Sequence, residues 1–131
     1  MLVDTSVWID YFNGYPSPEA ERLASAISDD EAIALPGLVI TEILLGLRTE
    51  ADAVRIQNLL DAFDTINNPV HQDYLESARI YRTCRSKGFT VRSTIDCVIA
   101  QLCLRDNLPL LSKDRDFKRI SQCFPLRLVE C

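Results

Sequence analysis

Four carboxylates in this chain stand inside runs of apolar residues, and their placement restricts the folds open to it: Asp4 in LVDTSVWI, Glu42 in LVITEILLG, Asp96 in STIDCVIAQLC and Asp114 in LLSKDRDF. An ionised side chain buried without a partner costs several kcal/mol or more. A compatible fold must therefore gather these acids where something pairs them. Hard divalent cations such as magnesium and manganese take oxygen ligands, and acids drawn from separate segments are how a folded chain builds a site for them.

The 131 residues, 47% of them hydrophobic, suit one domain spanning 1–131 that buries roughly two thirds of its unfolded surface. No basic leader with a short apolar run is visible, since Met1-Leu2-Val3-Asp4 already reads as a strand. No run of about 18 apolar residues offers a membrane span. The expectation is a soluble, cytoplasmic protein without a membrane partner. Five cysteines, an odd number with no C-x-x-C pair, fit neither a disulfide framework nor a zinc knuckle, so they are expected reduced, with Cys97 and Cys103 in the core. His71 is the only histidine, which excludes nucleases that use two histidines as acid and base, and zinc sites built on several imidazoles. Chemistry here must run on carboxylates, hydroxyls and bound water.

A net charge of −5 argues against a nucleic-acid partner, because Lys and Arg drive phosphate binding. The distribution argues otherwise. Residues 1–78 hold three basic and fourteen acidic side chains, and residues 79–131 hold eleven basic and five acidic. Such a split predicts a basic surface in the C-terminal half facing an anionic partner, either RNA or an acidic stretch of protein.

Punctuation and periodicity give alternating elements. Residues 2–4 read as a strand, and Thr5 or Ser6 caps a helix through Trp8, Ile9 and Phe12 that ends at Asn13-Gly14. A helix over 18–28 follows, then a buried strand over 32–35 closed by Pro36-Gly37. Residues 38–47 are apolar on nearly every face, which predicts a helix enclosed by the fold or by a second subunit. Further helices are expected over 50–63, over 69–87 with Gly88 as its stop, and from Ser93 or Thr94 through Asp96 and onward. Short strands are expected at 65–66, 109–112 and 126–129, with a helical turn over 117–121.

Short apolar strands alternating with helices indicate an α/β fold, a short parallel sheet covered on both faces. Ligands bind such sheets outside the carboxyl ends of the strands. Asp4 ends the first strand, Asp114 follows the strand PLLS, and Asp96 lies in the first turn of its helix, where the dipole favours negative charge. Three acids thus point to one sheet edge, while nothing local orients Glu42. Each acid alone also has a structural explanation, as a helix-terminus charge, a turn residue or a snorkelling surface group.

VDTSVWIDYF, ITEILLG, TIDCVIA and LLSKDRDF, in this order and approximate spacing, resemble PIN-domain proteins, most closely the VapC-type toxins of bacterial toxin–antitoxin pairs. The resemblance covers essentially the whole chain. It implies a PIN-like fold, a magnesium- or manganese-dependent endoribonuclease, a homodimer, and inhibition by a small cognate antitoxin that binds across the active site. It also implies that Asp4, Glu42, Asp96 and Asp114 form the acidic quartet, with Asp116 a further acid beside it.

The chemistry open to these residues is metal-assisted hydrolysis. One or two ions would lower the pKa of a bound water and screen a scissile phosphate. Asp4 and Asp96 are expected to contact metal directly, Asp114 directly or through water, and Glu42 to orient the attacking water or hold a second ion. Asp116, Ser6 and Thr94 are expected around them, the two hydroxyls having helix capping as their alternative role. Arg92, Lys113 and Arg115 flank the acids and are candidates to hold an RNA backbone, or else solvated loop charges. Two other readings remain: a PIN-like binding module with weak or no hydrolysis, and a receiver-type phosphoacceptor domain. The latter needs paired acids at the first strand end, where this chain has Asp4-Thr5-Ser6.

Overall fold

The computed structural model describes residues 1–66 and 68–131. Its elements run β1 (Leu2–Val3), α1 (Thr5–Asn13), α2 (Pro18–Ser28), β2 (Ala34–Leu35), α3 (Gly37–Leu45), α4 (Glu50–Leu60), β3 (Asp64–Thr65), α5 (His71–Ser86), α6 (Thr94–Asp106), β4 (Leu110–Leu111) and α7 (Arg115–Ser121). The strands form one sheet in the order β3-β2-β1-β4, every pairing parallel, with Leu2 opposite Ala34 on one side and Leu110 on the other. Successive strand side chains point to opposite faces. Leu2 and Val3 are both fully buried, as are Leu110 and Leu111, so both faces of the sheet are covered. The expected α/β architecture is the observed one.

Two helix groups supply the cover. α1 packs on α2 and α3, and α3 on α4; α5, α6 and α7 pack on one another. Trp8 is fully buried and meets Phe12 at 5.8 Å and Phe63 at 5.0 Å between ring centroids, fixing α1 against the segment that follows α4. Gly14 terminates α1 at φ +69° and Gly88 follows α5 at φ +87°, left-handed conformations that side-chain-bearing residues rarely adopt. Among the described residues no helix is long and apolar enough to cross a membrane.

Several boundaries differ from the sequence expectation for identifiable reasons. Neither Thr5 nor Ser6 caps α1; Asp4 occupies the N-cap position and makes no side-chain cap bond. α5 starts at His71 rather than Pro69, because Asp73 accepts the Val70 N–H at 2.8 Å and closes the first turn there. α7 starts at Arg115, a turn's fraction earlier than Phe117, because Asp114 caps it. The strand expected at 126–129 reduces to a single parallel bridge between Leu110 and Leu128, since β4 itself offers only two residues for pairing. α3 is not enclosed within this chain: Val39 and Ile43 are buried, whereas Leu45 is 77% exposed. All five cysteines are free, with Cys84, Cys97 and Cys103 buried.

The C-terminal helix group is cross-braced by one buried carboxylate. Asp73 Oδ2 accepts from Arg105 Nη1 at 2.8 Å as well as from the Val70 amide, and Oδ1 accepts from Gln101 Nε2 at 3.2 Å. This joins α5 to α6, the helix that carries Asp96. Removing one partner of a buried pair leaves an uncompensated charge. Asp73→Ala is expected to destabilise the protein by about 3 kcal/mol, read as a melting temperature lower by roughly 10 °C; a shift below about 2 °C would show that the brace carries little.

Candidate metal centre

The carboxyl ends of β1 and β4 lie side by side, with the Asp4 amide donating to the Leu111 carbonyl at 2.9 Å. Strand order reverses between them, because the chain leaves β1 towards β2 and returns to β4 on the other flank. Open α/β sheets bind ligands in the crevice at such a switch point. Asp4 directly follows β1, and its Oδ2 accepts hydrogen bonds from Ser6 Oγ and Ser112 Oγ, each at 2.9 Å. Ser112 Oγ also accepts the Asp114 N–H at 3.0 Å, so one hydroxyl bridges the two strand ends. Asp114 Oδ1 caps α7 by accepting the Asp116 N–H at 2.9 Å. Asp96 enters from the first turn of α6, whose N-cap Ser93 accepts its amide.

One carboxylate oxygen from each of Asp96, Asp114 and Asp116 lies within 4.8 Å of the other two. Asp4 stands outside that tightest trio, yet its charge acts on Asp96 and it feels that of Asp114. Glu42 is brought in from α3 by Thr5, whose Oγ1 donates to Oε1 at 2.8 Å. Its charge also reaches Asp96. Thr94 instead borders a separate groove between α5 and α6, with Tyr74, Tyr81 and Val98.

Asp96 bears the consequence of this crowding. Burial first, and then the charges of Asp4, Asp114, Asp116 and Glu42, push its carboxyl up to about 7. Burial likewise raises Asp4, against the opposing hydrogen bonds from Ser6 and Ser112. Asp96 is 8% exposed, and its Oδ2 is buried with no hydrogen-bond partner among the described residues. An orphaned carboxylate oxygen facing several acids fits a divalent cation. The donors are all oxygens, and the neighbouring Cys97 thiol is pushed up to about 11, so the set suits magnesium or manganese better than zinc. Asp116 differs from its neighbours. It is 1% exposed, its Oδ2 accepts the Arg92 N–H at 3.0 Å, and its Oδ1 accepts from Arg119 Nη1 at 2.6 Å. With both oxygens engaged, it is better placed to hold the α7 end than to bind metal.

A cleft of about 480 Å³ lined by Ser6, Arg92, Lys113, Asp114 and Arg115 opens beside the acids. Several cations of the C-terminal half pair with carboxylates of the same chain. Arg79 pairs with Glu76, Arg105 with Asp73 and Asp106, and Arg119 with Asp116, whereas the Arg92 side chain, 3.7 Å from Asp116, stays 74% exposed at the cleft. Lys113 Nζ contacts Asp10 Oδ2 at 2.7 Å and lies 5.3 Å from the Tyr15 ring centroid. The two hydroxyls that organise the acids, Thr5 and Ser112, were not expected in those roles. Both are visible beside Asp4 and Asp114 in the sequence, but their partners lie 37 and 108 residues away.

Residues 1–122 match the PIN domain family. A relative, Ribonuclease VapC11 of Mycobacterium tuberculosis, is 32% identical over 123 residues, covering 93% of this chain and 92% of the relative. Among solved structures, VapBC2 from Rickettsia felis bound to a DNA fragment from their promoter superposes with a TM-score of 0.76 at 16% identity, covering 98% of this chain and 96% of that one. A toxin–antitoxin complex from Klebsiella pneumoniae gives 0.64 at 24% identity, with 88% of each chain covered.

The raised Asp96 carboxyl has a definite sign in stability. In the metal-free protein the folded state holds this proton more tightly than the unfolded chain, whose value is near 3.8. Its contribution to stability therefore falls as pH rises from about 4 to about 7 and is constant above. Metal-free wild type is expected to lose melting temperature across that window by a component that Asp96→Asn lacks. Magnesium or manganese binding near pH 7 is expected to release protons, measured by titration calorimetry in buffers of different ionisation enthalpy; uptake of protons would contradict the shared site.

Proposed function

The chain belongs to the PIN domain family, and we propose that it is a metal-dependent endoribonuclease that cleaves RNA phosphodiester bonds by metal-activated water, as the toxin of a toxin–antitoxin pair. The observation that carries this reading is the buried, unpartnered Oδ2 of Asp96 among converging acids. A Mycobacterium tuberculosis relative named as a ribonuclease, matched over nearly its full length, supports the RNA substrate. The likeness to a toxin–antitoxin complex supports a small cognate antitoxin as partner. A homodimer and a cytoplasmic location belong to the same reading.

Asp96, Asp114 and Asp4 would hold magnesium or manganese at the switch point. When bound, the ion supplies a water of lowered pKa and screens the negative scissile phosphate. Ser112 keeps Asp4 and Asp114 in register, since its hydroxyl donates to one and accepts from the amide of the other. Glu42, held by Thr5, would orient the attacking water or hold a second ion. Asp116 ties the backbone of Arg92 and the guanidinium of Arg119 to the start of α7, which sets the direction of Asp114. Arg115 and Arg92, at the cleft rim, are the side chains best placed to meet RNA phosphates. Lys113 meets them only by leaving Asp10. No histidine is needed, because carboxylates perform the ligation.

The test is cleavage of structured RNA with and without magnesium or manganese, beside Asp96→Asn. Wild type is expected to cut only with metal, and the variant to lose at least about a hundredfold in rate, the scale of removing a group that acts in the transition state. Equal cleavage by both proteins, or cleavage indifferent to metal, would discard the nuclease reading.

A further inference from the structure

Asp4, Thr5 and Ser6 are three consecutive residues that serve two different acids. Ser6 turns its hydroxyl back onto Asp4 Oδ2, while Thr5 sends its hydroxyl 2.8 Å to Glu42 Oε1 on α3. Thr5 is 8% exposed, so a donor there is set in place by packing rather than by chance of rotamer. Glu42 is half-buried and lies in the middle of α3, whose apolar residues Leu38, Val39, Ile40, Ile43 and Leu44 pack on the core but do not themselves direct a glutamate side chain. The Pro36 N-cap of α3 makes no side-chain bond, and Thr41 spends its hydroxyl on the Gly37 carbonyl. Only Val39 and Ile43 are buried along that helix. Among the described residues, Thr5 to Glu42 is the one side-chain hydrogen bond joining α1 to α3.

We infer that Thr5 is a positioning residue for the proposed hydrolysis, orienting Glu42 towards the acids from the residue next to Asp4. The physical reason is geometric. A glutamate has three side-chain torsions and would sample several rotamers from a helix surface. A hydrogen bond from a buried hydroxyl removes most of that freedom at the end of β1, where the first metal-binding acid also emerges. One backbone segment thereby fixes the separation of two acids carried on different helices. Charge-assisted bonds of this kind are stronger than neutral ones, and small misplacements of a catalytic group have large effects on rate.

This inference rests on the nuclease reading, and its test separates the two. Thr5→Val keeps the shape of the side chain and removes the donor; Thr5→Ser keeps the donor. Five proteins, wild type, Thr5→Val, Thr5→Ser, Glu42→Gln and the Thr5→Val/Glu42→Gln double variant, are assayed for RNA cleavage with manganese and for the manganese-induced rise in melting temperature. Thr5→Val is expected to lower kcat about tenfold with KM for RNA within about twofold, the split expected when an interaction acts in the transition state. The manganese concentration needed for half of the melting shift should rise, and Thr5→Ser should restore both readouts. The double variant should be no slower than Glu42→Gln alone, because two residues acting as one unit are non-additive. Additive losses in kcat, or a Thr5→Val protein whose manganese response and kcat match wild type, would overturn the inference. If wild type fails to cleave RNA, the nuclease reading falls, and the manganese melting shift still decides whether Thr5 acts on the acids.

Discussion

The structure depends on confining several negative charges at one corner of a very short sheet. The charges of Asp4, Glu42, Asp114 and Asp116 all act on Asp96, whose burial strengthens the repulsion. What allows this crowding is a set of donors, each assigned to a particular acid. Hydroxyls serve Asp4 and Glu42, a backbone amide serves Asp114, and a guanidinium and another amide serve Asp116. Asp96 Oδ2 is buried without a hydrogen-bond partner among the described residues. The asymmetry gives the cluster its direction: four acids are held in position, and the fifth is left with an oxygen that a cation satisfies.

Strands of two residues supply this corner at little structural expense. A parallel sheet only needs to bring the ends of β1 and β4 together with their order reversed, and Leu2, Val3, Leu110 and Leu111, all fully buried, do so. Everything else that reaches the site comes on helices: the first turn of α6, the cap of α7 and the middle of α3. Helix starts also place partial positive charge beside Asp96 and Asp114, which partly offsets their mutual repulsion. The Asp73 brace ties α5 to the C-terminal half of α6, the helix whose first turn carries Asp96.

The electrostatic pattern of the sequence was most informative about the acids. Acids inside apolar runs pointed to convergence because burial of charge has few structural solutions. Of the cations after residue 79, Lys113, Arg105 and Arg119 turn to carboxylates of their own chain. Charge counts record sign and number, whereas the surface field depends on which pairs close, and those pairs link segments as distant as Asp10 and Lys113.

Read alone, the sequence determined the α/β class, the succession of helices and the placement of Asp4, Asp96 and Asp114, because strand ends, helix caps and apolar runs are local signals and carboxyl strand ends share one edge. Four motifs in order, VDTSVWIDYF, ITEILLG, TIDCVIA and LLSKDRDF, carried the resemblance to PIN-domain proteins along the whole chain. Tertiary structure decided the rest. Glu42 had no local direction, since a mid-helix side chain points wherever its helix is packed, and only the bond from Thr5 aims it. Ser112 looked like a strand-end residue until Asp4 arrived beside it from 108 positions away. Long-range hydrogen bonds of this kind have no periodicity or composition to announce them, and they turn separate acids into one site.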